Sequence, residues 1–363
     1  MDLKNLFSQT KSLVGLDIGS TSMKLAEIVS TSQGMTLNRF LQIPVPPGVI
    51  VEGVLHDPDA LAGVIKELFR NSGCKGKGIV TSLSGNSVII KKVTLAQMEE
   101  AELRELIHDE AGKYLPFDNM DDVNYDFQIL GDNEFNPNQM EVIIVAAKKT
   151  DVNGYLDAFA AAGLQVMIMD VDSFALETMY EANYDFEENE IVVIVNIGAS
   201  LTNINVIRGG MSVFTRDFTM AGNAVTEALQ ERFQVTAEEA ERMKVEGTAG
   251  AQEIPGLENA ILDAAEPICS EIERSVDYFR STFGGEEIKH VFLSGGSSRI
   301  AGLSDLLSQR LNIGTQLINP LAKIGHNKKN IGEAELDGIK TIGAVAIGLG
   351  LRKIGDHYCP NVS

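Results

Sequence analysis

Two segments of the chain repeat one pattern of apolar and polar positions. Each segment is a β-branched run, then a polar–Ile–Gly turn with small residues, then an alternating strand: LVGLDIGSTSMKLAEI at 13–28 and VVIVNIGASLTNINVIR at 192–208. Asp17 matches Asn196 in position, and Gly19 matches Gly198. Alternation with a period of two is typical of half-buried strands joined by a tight turn. The repeat therefore predicts two related α/β halves, each opening with a hairpin, although a chance pair of hairpins is the alternative.

Further elements follow from the periodicity of the intervening segments. Between the halves it predicts an insertion at 87–163 with a helix, two strands and a second helix, at 95–114, 123–130, 141–147 and 150–162. In the second half it predicts three helices and one strand, at 236–245, 256–283, 300–311 and 288–293. Thr236 and Glu239 have the three-residue spacing of a capping box. Pro267 is expected to kink the helix that contains it.

These elements divide the chain into four predicted units. They are a first core at 1–86 with 164–187 and a C-terminal helix at 338–363, an inserted subdomain at 87–163, a second core at 188–225 with 286–337, and a helical subdomain at 226–285. The resulting fold class is α/β, with a cleft between two duplicated halves.

Composition narrows the classes of function. The chain has 363 residues, of which 44% are hydrophobic, so it can bury a full core. Its net charge of -21 disfavours binding to nucleic acid or anionic lipid. The start of the chain lacks a signal-peptide core, and no apolar stretch reaches the ~20 residues of a membrane helix. We therefore expect a cytoplasmic protein that reaches a membrane only through a partner.

The three cysteines predict neither a metal site nor a disulfide. Cys74, Cys269 and Cys359 are far apart, and none has the spacing of a metal-binding motif. We expect them to be free thiols in a reducing compartment.

The first hairpin carries groups suited to a phosphate and a metal ion. Gly19 lets the backbone approach a ligand closely, and the amides of a turn can converge on an anion. Lys24 would neutralise phosphate charge, and Asp17 would hold a hydrated Mg²⁺ through water. Further donors are hydroxyls, at Ser20, Thr21 and Ser22. The alternative is an ordinary hairpin in which Asp17 bonds its own turn.

Three other segments could complete a ligand site. The second hairpin could grip the same phosphates from the opposite side, through Asn196, Gly198, Ala199 and Thr202. The Gly295–Gly296 pair removes side chains from one wall, so a flat base could lie there beside a helix N-terminus. Glu241 and Lys244 share a helix face and could bracket a ribose. A common strand-to-helix turn and a solvated ion pair are the respective alternatives.

The order of these segments resembles the actin/Hsp70/sugar-kinase superfamily. In that resemblance the two hairpins are phosphate loops, and LSGGSSRIAGL is the adenosine motif, with Gly295, Gly296, Ser297 and Arg299. Glu241 and Lys244 look like the ribose and adenine clamp. The resemblance implies ATP with Mg²⁺ in a cleft between the two halves.

Within that superfamily the chain resembles the PilM family of type IV pilus assembly factors, nearly end to end. The similar stretches are SLVGLDIGSTSMKLAEI, LIHDEAGKYLPFDNMDDVNYDFQIL, EVIIVAAKKTDVNGYLDAFAAAGL, ICSEIERSVDYFRS and IGAVAIGLGLR. The resemblance implies a PilN-like inner-membrane partner, whose cytoplasmic N-terminal tail is held between the first core and the insertion. It also implies contact with other proteins of the pilus motor complex, so that the motor is linked to the periplasmic alignment complex. The related FtsA proteins end in a basic amphipathic helix, whereas this chain ends RKIGDHYCPNVS.

One departure from the superfamily pattern bears on catalysis. The second phosphate loop usually begins with Asp, but here it begins with Asn196, which cannot act as a carboxylate base. After Asp172, where relatives position the attacking water, Ser173 and Phe174 offer no evident substitute. We therefore expect ATP binding with slow or absent hydrolysis. The alternatives are an FtsA-like division scaffold, a small-molecule kinase, which would need the missing carboxylate, and a scaffold that binds no nucleotide.

Overall fold

The structure is a computed structural model that describes residues 13–32, 34–133, 135–247, 254–283 and 286–355. Its strands are β1 (Val14–Ile18), β2 (Ser22–Thr31), β3 (Gly34–Pro44), β4 (Ile50–Val51), β5 (Val54–Leu55), β6 (Gly78–Leu83), β7 (Ile89–Ala96), β8 (Val123–Asn133), β9 (Asn136–Lys148), β10 (Gln165–Val171), β11 (Ile191–Ile197), β12 (Thr202–Arg208), β13 (Met211–Phe218), β14 (Ile288–Ser294), β15 (Thr315–Leu317) and β16 (Gly325–His326). Its helices are α1 (Pro58–Ser72), α2 (Glu100–Gly112), α3 (Lys149–Ala161), α4 (Asp172–Asn183), α5 (Gly222–Phe233), α6 (Ala237–Glu246), α7 (Leu257–Thr282), α8 (Leu303–Leu311), α9 (Glu333–Ile342) and α10 (Ala344–Leu351).

The two halves are built on sheets that share a five-strand topology, to which β16 adds a sixth strand in the first sheet. The first sheet has the strand order β10-β6-β1-β2-β3-β16, and the second has the order β13-β12-β11-β14-β15. In each sheet, three consecutive strands form an antiparallel meander, β1-β2-β3 or β11-β12-β13. On its other side, the first strand of the meander pairs with a parallel strand, β6 or β14, which in turn pairs with a second parallel strand, β10 or β15. The sequence repeat therefore marks a real structural duplication, as predicted.

Two helices, α4 and α10, pack between the two sheets. Their apolar side chains share one core with Ala26, Ile28 and Val80 of the first sheet and with Val192 and Ile194 of the second. The outer face of the first sheet is covered by α1 and α3, and the outer face of the second by α5, α6, α7 and α8. Both hairpins therefore belong to sheets that share one buried core.

A carboxyl group lies where α4 meets the second sheet. Glu177 of α4 accepts a hydrogen bond from the backbone N–H of Ser212 at 2.8 Å. Burial raises the pKa of Glu177 to about 7, the Ser212 hydrogen bonds oppose that rise, and the nearby charge of Glu181 adds to it. Because the folded pKa lies above the unfolded one, ionisation of Glu177 opposes folding as the pH rises from about 4 to about 7.

Replacing Glu177 by Gln should therefore stabilise the protein at pH 8 and have little effect at pH 4. Gln keeps an acceptor for Ser212 and removes the buried charge, so we expect a gain of about 1–2 kcal/mol at pH 8. Thermal unfolding of both proteins across this pH range measures it. The matched control is Glu227→Gln on the exposed side of α5, which should change neither value. Equal effects of Glu177→Gln at both pH values would contradict the assignment.

The insertion has its own sheet and its own core. The strand order is β7-β9-β8, and α2 packs on one face of the sheet through Leu103, Ile107 and Ala111. The following helix, α3, belongs elsewhere, because Tyr155, Ala158 and Phe159 are buried in the core of the first sheet. We therefore propose that the inserted subdomain ends near Lys148 rather than at residue 163.

The structure also changes several predicted boundaries. The helix predicted at 95–114 begins only at Glu100, because β7 extends through Ala96 in register with β9. The helix predicted at 300–311 begins at Leu303, after a turn. The long helix continues through Pro267 as α7. Thr236 caps α6 by accepting from the Glu239 N–H at 3.2 Å, which is one half of the predicted capping box.

Residues 325–326, predicted to lie in the second core, instead pair with the first sheet as β16. Cys74 and Cys269 are free and buried. Cys359 and the rest of 356–363, on which the contrast with FtsA partly depends, lie outside the described residues. Among the residues that the structure describes, no helix is long and apolar enough to cross a bilayer.

Candidate functional site

The two hairpins predicted to hold phosphate face each other across the cleft. The Ser200 hydroxyl donates to the Ser20 hydroxyl at 2.8 Å. A glycine N–H closes each turn, from Gly19 to the Ser22 carbonyl at 3.1 Å and from Gly198 to the Leu201 carbonyl at 2.8 Å. The loops that the sequence separates by 180 residues are therefore brought together at one place.

Asp17 and Lys24 form an ion pair at the base of the first hairpin. They are cross-strand neighbours in β1 and β2, and the Lys24 Nζ to Asp17 Oδ2 distance is 2.9 Å. Both side chains are largely buried, with exposed fractions of 11% for Asp17 and 15% for Lys24. The lysine thus offsets the charge of the Asp17 carboxylate. From the same position its ammonium group could also reach a phosphate.

A third polar group at this place was missed by the sequence analysis. Asp172, the first residue of α4, accepts a hydrogen bond from the Ser82 hydroxyl at 2.5 Å. Burial raises the pKa of Asp172 to about 7, and the nearby charges of Asp17 and Asp217 add to that rise. The signal in the sequence was the position of Asp172, an aspartate between a buried strand and a helix.

These carboxylates fit a hydrated magnesium ion. Asp17 and Asp172 lie close enough for the charge of one to affect the other, and Lys24 offsets only part of their charge. Mg²⁺ prefers oxygen ligands and keeps several waters, so one or two carboxylates are enough to hold it. The described residues contain no group of three or more His, Cys, Asp or Glu side chains arranged to hold a metal. Water and phosphate oxygens would therefore supply the remaining ligands.

The second hairpin carries a row of polar side chains at its base. Asn196 of β11 pairs with Asn203 of β12, and its Nδ2 donates to Asn203 Oδ1 at 3.2 Å. Asn203 in turn pairs with Asp217 of β13. Burial raises the pKa of Asp217, and the hydrogen bond that it accepts from the Gly85 N–H opposes the rise. Thr202 is fully buried, and its hydroxyl donates to the Met220 carbonyl at 2.8 Å, so it supports the hairpin.

The segment predicted as the adenosine motif packs directly against the second hairpin. Gly295 has φ +86°, and a Cβ there would lie 2.3 Å from the Ile197 carbonyl oxygen, so only glycine fits. The Ser297 hydroxyl donates to the Gly198 carbonyl at 2.7 Å and thus ties the two segments together. Gly296 and Arg299 are exposed, and a Cβ on Gly296 would meet open space. These two residues border a surface where a flat base could lie.

Lys244 has a different environment from the predicted ribose clamp. Its side chain is only 2% exposed, and its Nζ donates to the Gly222 carbonyl at 3.2 Å, to Thr226 at 3.0 Å and to Glu241 at 2.6 Å. The Glu241 side chain is 54% exposed and remains open to a ligand. Lys244 therefore positions the start of α5. The N–H of Gly222 in that helix donates to the Gly198 carbonyl at 3.1 Å.

A groove of about 290 Å³ runs between the insertion and the first core. One wall is the face of the inserted sheet opposite α2, with Asn124, Asp126, Gln128, Ile143 and Val145. The other wall comes from α3, β10 and the start of α4, with Val152, Leu156, Val166, Ile168, Met169 and Phe174. Both β8 and β10 are edge strands of their sheets. The groove therefore combines an apolar lining with two strand edges, the features by which extended peptides are bound.

Comparison with known proteins agrees with this architecture. The sequence profile of a family described as type IV pilus assembly protein PilM matches residues 15–354. A PilM-PilN type IV pilus biogenesis complex contains a similar chain, with a TM-score of 0.84 and 29% identity over 95% of this chain and 99% of that one.

More distant solved structures share the fold alone. The ethanolamine utilization protein EutJ of Carboxydothermus hydrogenoformans has a TM-score of 0.54 and 14% identity, over 93% of this chain and 89% of its own. MreB5 of Spiroplasma citri, bound to AMPPNP, has a TM-score of 0.50 and 12% identity, over 94% and 95%. These matches establish the actin-like fold, and the profile match over nearly the whole length shows that the chain belongs to the PilM family of type IV pilus assembly proteins.

Proposed function

We propose that this protein is an ATP-binding scaffold of type IV pilus assembly that holds the cytoplasmic tail of a PilN-like inner-membrane protein. The observation that carries the proposal is the apolar groove between the insertion and the first core, in a chain of the PilM family. A similar chain has been solved in a PilM-PilN complex.

The groove suits an extended peptide with apolar side chains. Its apolar positions lie on both walls, and either β8 or β10 could accept the peptide as an added strand. Acidic side chains are frequent on the exposed face of α2, including Glu102, Glu105 and Asp109. Basic residues in the partner would therefore speed its encounter with the insertion more than they would tighten the complex.

The cleft supports ATP with Mg²⁺ as its ligand. The two facing hairpins supply backbone amides and hydroxyls for phosphates, and Asp17 with Asp172 suits the metal ion. Gly296 and Arg299, together with the exposed Glu241, border the place for the adenosine. Binding to the PilN-like tail would recruit the protein from the cytoplasm to the inner face of the inner membrane.

Asp17→Ala and Lys24→Ala should each weaken ATP binding by about tenfold or more, the usual effect of losing a charge-assisted contact. Each change also leaves the partner of a largely buried ion pair uncompensated. Titration of nucleotide-stripped protein with ATP and Mg²⁺ measures the affinities. Asp109→Ala and Lys91→Ala, at exposed positions of the insertion, are the matched controls and should bind as the unmodified protein does. Unchanged affinity in both cleft variants would remove the pair from the site.

Hydrolysis by the isolated protein should be slow or absent, because Asn196 stands where a metal-binding carboxylate is usual. Asn196→Asp should raise any residual rate, although it also removes the donor to Asn203. A phosphate-release assay measures both proteins. Several turnovers per second in the unmodified protein, abolished by Asp17→Ala, would show that the cleft is an efficient ATPase.

A further inference from the structure

A short turn at Gly85–Ser87 lies between the cleft and the groove. It follows β6 of the first sheet and leads through Val88 into β7, the first strand of the insertion. Val88 lines the groove and also a second cavity of about 260 Å³, whose other residues include Thr215, Asp217 and Thr219 of β13 and its following turn. We call residues 85–88 the stem of the insertion. The stem therefore borders the second half as well as the proposed peptide site.

A hydrogen bond joins this turn to the second half. The Gly85 N–H donates to Asp217 Oδ2 at 2.7 Å. Asp217 ends the row of cross-strand neighbours that begins at Asn196 and continues through Asn203. A continuous row of polar side chains thus leads from the base of the second hairpin to the stem of the insertion.

Leu201 makes a second contact between the second half and the Gly85–Ser87 turn. It is the last residue of the second hairpin turn, and its carbonyl accepts from Gly198. A Cβ built on Gly85 would lie 2.6 Å from Leu201 Cδ1, and one built on Gly53 would lie 3.2 Å from the same atom. Both glycines have positive φ, +60° and +82°. The Leu201 side chain therefore packs against two glycine turns of the first half that admit no larger residue.

We propose that Asp217 and Leu201 couple the two binding sites, so that nucleotide between the hairpins changes the affinity of the groove for its peptide. This inference rests on the proposed function, since it requires both ligands to bind. A nucleotide between the hairpins would contact the second hairpin. The Gly85–Ser87 turn contacts that hairpin through Leu201 and the neighbouring strand β13 through Asp217. Any shift of the hairpin is thereby transmitted to Val88 and the wall of the groove.

A different route between the halves also exists. The Lys92 ammonium of β7 lies 4.8 Å from the centre of the Phe283 ring, which follows α7 in the helical subdomain. This contact joins the insertion to the second half far from the hairpins in sequence. The experiment must therefore distinguish a path through the stem from a path through Lys92.

The test measures peptide affinity of the full chain by calorimetry, with and without saturating AMPPNP and Mg²⁺. The probe is a synthetic peptide copying the cytoplasmic tail of the PilN-like protein. Coupling free energies between sites are typically 1–3 kcal/mol, or about 5–150-fold in affinity, and must be equal when nucleotide affinity is measured with and without peptide. We expect AMPPNP with Mg²⁺ to change the peptide affinity of the unmodified protein by at least about fivefold.

In Asp217→Ala and in Leu201→Ala, the peptide affinities with and without nucleotide should differ by less than about twofold. Asp217→Asn keeps an acceptor for the Gly85 N–H and should restore most of the coupling, which a general loss of packing would not do. Asp157→Ala, an exposed aspartate of α3, is the matched control and should retain the full effect of nucleotide on peptide affinity.

The outcomes separate the coupling from the proposed function. If the unmodified protein binds both ligands independently, or if Lys92→Ala alone abolishes the coupling, the inference is overturned and the proposed function stands. If the unmodified protein fails to bind the peptide or the nucleotide, the proposed function fails and the inference fails with it.

Discussion

Gly348→Ala is expected to destabilise the protein strongly, because α4 and α10 approach each other too closely to admit a methyl group. A Cβ on Gly348 would lie 1.8 Å from the Ala175 carbonyl oxygen and 2.6 Å from the Ala175 carbonyl carbon. These are backbone atoms of a helix buried between two sheets, so neither helix can move without disturbing the shared core. We expect a loss of about 3 kcal/mol or more, the upper range for overpacking.

The matched control for this substitution is Gly338→Ala in α9, where a Cβ meets nothing within 4 Å. It should stabilise the protein by about 0.5–1 kcal/mol, since alanine is the better helix former. Thermal unfolding of the two variants measures the difference. A Gly348→Ala protein as stable as the unmodified one would show that the two helices are not packed as described.

Val145→Trp should weaken binding of the PilN-like tail peptide by about thirtyfold or more, the loss expected at the centre of a well-packed interface. Val145 lies on the groove face of β9, and an indole there would occupy space needed by the peptide. ATP affinity should be unchanged, because the cleft does not include this position.

Calorimetry with the peptide and, separately, with ATP and Mg²⁺ measures both effects. The matched control is Ala96→Trp, at the exposed end of β7 in the same sheet. It places the same indole outside the groove, and the variant should bind the peptide normally. Equal loss of affinity in both variants would point to damage of the inserted sheet rather than to blockage of the groove.

The sequence predicted the duplicated architecture well, for a physical reason. A hairpin that must bend tightly beside a ligand needs glycine and small residues, and its strands need alternating apolar positions, so Asp17 to Lys24 and Asn196 to Thr202 are recognisable locally. Elements set by distant packing were less predictable. The assignment of α3 to the first core depends on contacts of Tyr155 and Phe159 with residues far away in sequence.

The candidate site was predictable to the same extent. The turns of the two hairpins were predicted and lie together in the structure, whereas Asp172 and Asp217 were missed. Asp172 comes close to Asp17 and to Asp217 only when the sheets are assembled. Lys244 was expected to face a ligand from its spacing to Glu241 alone. Spacing cannot show that the Lys244 ammonium group is held by three acceptors, two of them in the first turns of α5.

Hydrogen–deuterium exchange of the full chain, with and without the PilN-like tail peptide, locates the surface that holds the peptide. Exchange of backbone amides reports local opening and would map the bound surface element by element. We expect the peptide to slow exchange in β8 and β10, the two edge strands at the groove, and to leave exchange in α5 unchanged. Protection confined to another surface, with β8 and β10 unaffected, would contradict it.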